Sequence, residues 1–287
     1  MQSEWMQDIG LDSILKYTPL FPWVAVLVGG VPLEGVLPHG REQPHRRSTV
    51  PNLINGMVVT VMAFFLLPVI FSLTAETVHC LGGGLIDLQV PMHNEMLSQI
   101  IPILLLLVIS DFFFYWWHRA EHCFLFLWHI HAVHHSDTDF NITTYARQHW
   151  LETNLQAVFI GLPMAVLFKF SSVNFFAVLL IMASWDFFSH MNIRFDMGRF
   201  TGVFVGPQYH RIHHSLERAH QDVNFSQFFP VFDMMFSTYC PPKKYEYPLT
   251  GLYSGEILER PMDLFLWPFR KYWEAICGFI DRLRSMS

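Results

Sequence analysis

The chain has 287 residues, of which 52% are hydrophobic and only 15% charged, with a formal net charge of −6. Soluble domains carry about 25% charged residues, so this composition points away from a soluble enzyme, and the acidic balance argues against nucleic acid as a partner. The four cysteines, Cys80, Cys123, Cys240 and Cys277, show neither CxxC spacing nor a disulfide framework.

The start is acidic, with Glu4, Asp8 and Asp12 against Lys16, and lacks the basic n-region of a secretory signal. Tyr17 to Leu33 is uncharged but interrupted by Pro19, Pro22, Pro32 and a glycine pair, which suits a half-span. Arg41, Arg46 and Arg47 follow as a basic loop. Leu53 to Leu73 is an uncharged run of 21 residues, enough to cross a hydrocarbon core of about 30 Å at about 1.5 Å per residue. The stretch from Ser72 to Ser98 has no Lys or Arg. Leu97 to Trp117 is a second long run with one charge, Asp111. Asn154 to Phe168 and Ser172 to Trp185, split by Lys169, predict a helical hairpin. The expected fold is all-α, an integral membrane helical bundle of four to five spans or half-spans.

Charge placement orients that bundle. The positive-inside rule puts the Arg loop on the cytoplasmic side and the Ser72 to Ser98 loop opposite. The Leu97 run then delivers His118 to the cytoplasmic boundary, and the hairpin returns His190 to it, which predicts a cytoplasmic histidine-rich helical cap. Sequons at Asn141 and Asn224 fall on that side and read as accidental. Pro261 to Ser287 interleaves Trp267, Phe269, Trp273 and Phe279 with Arg270, Lys271, Arg282 and Arg284, the pattern of an amphipathic interfacial segment. Three parts result: an N-terminal membrane segment and basic loop (1–50), a catalytic domain (51–240) and a cytoplasmic tail (241–287). The aromatic run Phe112 to Trp117 reads as an interfacial belt, with a channel steering a lipid chain toward the histidine-rich cap as the alternative.

Twelve of the sixteen histidines lie between His118 and His220. They cluster as HRAEH (His118, His122), HAVHH (His131, His134, His135) and HRIHH (His210, His213, His214). Helical residues three or four apart are neighbours, so each cluster is expected to aim its imidazoles at one place. Neutral imidazole is a good transition-metal ligand. Eight such groups exceed the needs of one ion, so the pattern predicts two. Asp111 lies two turns before His118 and Asp186 one turn before His190; both are expected to orient ligand rings. Asp222 and Asn224, just after the third cluster, and Glu152 are similar candidates.

The clusters HxxxH, HxxHH and HxxHH at the ends of membrane helices resemble the fatty acid hydroxylase / sterol desaturase superfamily. The likeness runs from about Glu34 to Tyr239 through WWHRAEH, LWHIHAVHHSD, TTYARQHWLE, SHMNIR, YHRIHHS, DVNFS and FDMMFST. It implies a histidine-ligated di-iron site on the cytosolic side and O2-dependent hydroxylation of a lipid, with desaturation as the alternative; zinc can replace iron in purified protein. Position by position it makes His118, His122, His131, His134, His135, His210, His213 and His214 ligands, with His190 as a ninth. A possible tenth position is Arg194 here. His149 matches a supporting position, His129 points off the shared face, and His220 reads as a loop residue.

No haem-attachment, flavin, nicotinamide or iron–sulfur motif is present. Electrons are therefore expected from an external donor, a cytochrome b5-like protein or a ferredoxin with its reductase, and the compartment is a bacterial inner membrane or the endoplasmic reticulum. A membrane metal transporter is the alternative of another class. It would place ligands near the bilayer midplane, whereas these crowd the water boundary. A catalytically inactive scaffold would have no use for intact clusters.

Overall fold

The computed structural model describes residues 29–37, 47–88, 93–244 and 246–286. Most of the expected first half-span, and Arg41 and Arg46, lie outside the described residues.

The long uncharged runs become long helices. After the short α1 (Val31–Val36) come α2 (Thr49–Cys80) and α3 (Glu95–Cys123). Asn94 starts α3 by accepting the Met96 and Leu97 amides at 3.0 and 3.2 Å. Pro68 and Pro102 sit inside these helices without ending them. The outer faces are apolar and exposed, with Met57, Phe64, Phe65 and Val69 on α2 and Ile100, Leu104 and Leu105 on α3. In water such faces would be a liability; in hydrocarbon they are solvated.

One residue in extended conformation, Phe124, separates α3 from α4 (Leu125–His135). The chain turns there, and α4 packs back on α3. The predicted hairpin is α5 (Trp150–Leu167) and α6 (Ser172–Ser189). Its connector, β2 (Phe168–Lys169), pairs in parallel with β1 (Ile86–Asp87), Ile86 opposite Phe168. Two short helices follow, α7 (Pro207–His213) and α8 (Val231–Met235), and the expected C-terminal segment is α9 (Pro261–Met286). Among the described residues, α2, α3 and α5 are long and apolar enough to cross a membrane, while α6 is a shorter apolar helix. The protein is an all-α membrane helical bundle.

Two apolar clusters hold the layers together. Leu106 and Leu107 of α3 meet Met164 of α5, Val178 of α6 and Phe228. Ala132 and Val133 of α4 meet Leu252, Leu258, Leu264 and Trp267, which docks α9 on the histidine-bearing helix. A polar bolt joins α2 to the same block. The buried Arg147 donates to Val133 O, to Ser136 Oγ, to Asn52 Oδ1 and to Leu258 O. Asn52 in turn donates to Asp137 at 2.8 Å.

Candidate metal centre

The structure gathers nine histidines into two sets. His118, His122, His131, His135 and His213 each bring a ring nitrogen within 4.8 Å of the others, and His134, His190, His210 and His214 do the same. The two HxxHH clusters were expected to aim each at one place; instead both are divided. On α4, His131 and His135 are one turn apart and share a face, so both enter the first set, while His134 swings to the second. On the third cluster, at the end of α7, the division is reversed: His210 and His214 enter the second set and His213 the first.

Ring protons decide what these sets can bind. His118 Nδ1 lies 2.8 Å from Phe225 O, His213 Nδ1 2.7 Å from Val223 O and His190 Nδ1 2.7 Å from Asp186 O. A carbonyl only accepts, so each Nδ1 must carry the hydrogen and each Nε2 a lone pair. His131 Nδ1 faces Glu152 at 3.0 Å and His122 Nδ1 faces Asp222 at 3.2 Å, with the same consequence where the acid is ionised. Yet His118 Nε2 and His131 Nε2 stand 3.1 Å apart, lone pair against lone pair where Glu152 is ionised. Similar Nε2 contacts of 3.0 to 3.2 Å join His122 to His135, His134 to His190 and His190 to His210. His213 Nε2 is buried without a partner. Two imidazoles bound at right angles to one ion at about 2.1 Å would sit about 3.0 Å apart, so the donor sets fit metal ions. Burial holds His131, His134, His135, His210, His213 and His214 well below the ordinary imidazole range, keeping them in the neutral form that ligates.

The carboxylates divide as well. Asp222 faces His122, and that hydrogen bond holds its own carboxyl below the usual range. Asp186 backs His190 with its backbone oxygen and, at 3.3 Å, with its carboxylate. Asp111 does not meet His118, as its position predicted. It accepts the backbone amides of Gln227, Phe228 and Phe229 at 3.0, 3.0 and 2.7 Å. Asn224 spends its amide on Tyr209 O and on both backbone groups of Cys240. Glu121, which sequence reasoning passed over, is buried with Oε2 3.7 Å from His131 Nδ1. Its signal was present, since it falls three residues after His118 inside HRAEH.

His149 supports no ligand ring. It caps α5 through the Leu151 amide and reaches Phe265 O of α9. His129 lies against Tyr272 and His220 against Ser215, both away from the two sets. The aromatic run is less a belt than a packing surface: Tyr115 and Trp117 are buried, and only Trp116 of the Tyr115 to Trp117 trio is exposed. Phe225 and Phe140 wall the two sets, Phe225 against His118 and His122, Phe140 against His190 and His214.

The family model for fatty acid hydroxylase matches residues 103–238, from within α3 to just past α8, and the match contains all nine histidines. This segment is a fatty acid hydroxylase domain. Alkylglycerol monooxygenase of Danio rerio is 31% identical to the chain over 166 residues, covering 55% of the chain and 35% of that protein. The alkylglycerol monooxygenase of Caenorhabditis elegans is 29% identical over 146 residues, 48% of the chain and 27% of that protein. Ornithine lipid hydroxylase OlsE of Rhizobium tropici is 28% identical over 169 residues, 56% of the chain and 48% of that protein. The chain thus spans less than half the length of these curated relatives. No solved structure matches it. Over this segment the chain is thus similar to a monooxygenase and a hydroxylase that are both named for lipid substrates.

Proposed function

We propose that the hydroxylase domain holds two iron ions, one in each histidine set, and hydroxylates a membrane lipid with O2 at the cytoplasmic face. The reading rests on one observation above all: two separate histidine sets whose Nε2 atoms converge, with the Nδ1 hydrogens of His118, His213 and His190 tied outward to carbonyls. In this reading the ligands are the five histidines of the first set and the four of the second. Bound there, iron supplies the reductive activation of O2 that an unreactive C–H bond requires.

The chain's own residues do the rest. Phe225 O, Val223 O, the Asp222 carboxylate, Glu152 and Asp186 O hold rings in one tautomer and one orientation. Burial of eight of the nine rings, with Phe140 and Phe225 beside them, excludes bulk water. The exposed apolar faces of α2 and α3 let a lipid approach from the bilayer. The relatives, an alkylglycerol monooxygenase and an ornithine lipid hydroxylase, favour a lipid with an alkyl-ether or acyl chain. Hydroxylation consumes O2, two electrons and two protons and releases water with the alcohol. Those electrons come from an external donor of the cytochrome b5-like or ferredoxin kind.

The test is lipid profiling of cells expressing the protein under ¹⁸O2, against a His134→Ala/His213→Ala variant that removes one ligand from each set. A lipid carrying one labelled oxygen, absent with the variant, is the expected result. A new double bond without label would turn the reading to desaturation. Unchanged lipids with altered cellular metal content would replace it by metal transport.

A further inference from the structure

One face of α3 carries Asp111, Tyr115, His118 and His122, at spacing i, i+4, i+7 and i+11. All four grip a single segment, residues 222–238. Asp111 takes the amides of Gln227, Phe228 and Phe229, Tyr115 meets Thr238 Oγ1 at 3.0 Å, His118 meets Phe225 O and His122 meets Asp222. A second buried acid fixes the segment from within. Asp233 accepts four donors, the Phe225 and Ser226 amides, Thr238 Oγ1 and Tyr209 Oη, at 2.8 to 3.0 Å.

The segment is held in a conformation it would not adopt alone. Among the described residues, the non-glycine residues with positive φ are Asp222 (56°), Asn224 (61°) and Ser237 (60°), all within it. What this constrained strap offers the histidines is uneven. It supplies the acceptor for Nδ1 of His118, His122 and His213, three of the five rings of the first set. In the second set, His190 is oriented by its own helix through Asp186 O.

We infer that Asp111 and Asp233 are positioning residues for the first metal site alone, acting at a distance through the strap. Neither touches a ligand ring; Asp233 fixes the two amides on either side of the Phe225 carbonyl, and Asp111 fixes those of Gln227 to Phe229 just downstream. The inference rests on the two-metal reading above and assigns its two sites different dependence on the protein.

The experiment is to load purified full-length protein with ⁵⁷Fe(II) without oxygen and record iron per chain and Mössbauer spectra. Wild type is compared with Asp111→Asn, Asp233→Asn and the milder Thr238→Val, which removes one Asp233 donor and the Tyr115 tie. His190→Ala provides the reciprocal loss from the second set. The expected result is two irons in wild type. In the strap variants the five-histidine component should weaken in affinity by roughly 10- to 100-fold while the four-histidine component keeps its spectrum. Where an aspartate variant loses helicity, Thr238→Val decides. Equal loss of both components, or no change in either, overturns the inference and leaves the metal reading intact. Wild-type protein that takes up no iron overturns the metal reading, and this inference with it.

Discussion

Asn52 offers the sharpest test of how the membrane helix α2 is tied to the histidine block. Its side chain is fully buried and stands between two charged groups. Arg147 donates to Oδ1 at 3.0 Å, and Nδ2 donates to Asp137 at 2.8 Å. Asn52→Leu keeps the approximate volume and removes both contacts, with a weaker third from Nδ2 to Thr143 Oγ1 at 3.2 Å, leaving a guanidinium hydrogen and a carboxylate lone pair buried and unpaired. Hydrogen bonds to charged groups contribute roughly 1.5–3 kcal/mol each, so the pair sums to roughly 3–6 kcal/mol. At roughly 2–4 °C per kcal/mol for a chain of this size, the thermal midpoint should fall by on the order of 10 °C. The comparator is Asn55→Ala, which removes bonds to two neutral carbonyls, Ala146 O and Gln148 O, and should cost roughly 1–3 kcal/mol. The assay is the midpoint of heat-induced loss of near-ultraviolet circular dichroism in detergent. If Asn52→Leu falls no further than Asn55→Ala, the two charges are not bridged through Asn52 and the argument fails.

Two further outcomes follow from the site's surroundings. Burial lowers the His149 imidazole to about 4, so its folded form resists protonation. The stability it contributes is complete above the ordinary value near 6.5 and is lost as pH falls from there toward 4, a loss of about 3 kcal/mol. His149→Asn keeps a capping side chain for α5 and lacks that titration, so midpoints measured against pH should converge toward the acid end; parallel curves would refute the assignment. Glu152→Gln keeps an acceptor near His131 Nδ1 but cannot ionise beside it. Chelator competition should show iron bound roughly 10- to 100-fold more weakly, with the thermal midpoint of metal-free protein little changed, and undiminished affinity would show that the carboxylate does not act on that ring.

Much of the bundle was readable along the chain because a bilayer imposes a one-dimensional rule. Leu53 to Leu73 and Leu97 to Trp117 lie inside α2 and α3, and the split apolar runs form the α5–α6 hairpin, since a span needs length and apolarity wherever its neighbours are. The histidine clusters were readable for a similar reason, because helical period is local. Glu121 obeys that same period three residues from His118, but its approach to His131 belongs to the packing of α3 against α4, which helical period does not specify.

What stayed hidden was which group meets which across distance. Helical spacing placed Asp111 on the face of His118, and that was correct; its partners, however, are amides more than a hundred residues downstream. The same spacing joined His131 to His135 and His210 to His214 but could not say that His134 and His213 cross to the opposite sets. That division depends on which tertiary neighbours each ring of α4 and α7 faces, and helical period does not specify them. Sequence alone determined the span-length helices and the gathering of histidines on short helical turns, because both depend on neighbours within a few residues. Only the tertiary structure divided nine imidazoles into two sets and tied the outer nitrogens of His118 and His122 to the strap, because those contacts join segments that the chain keeps far apart.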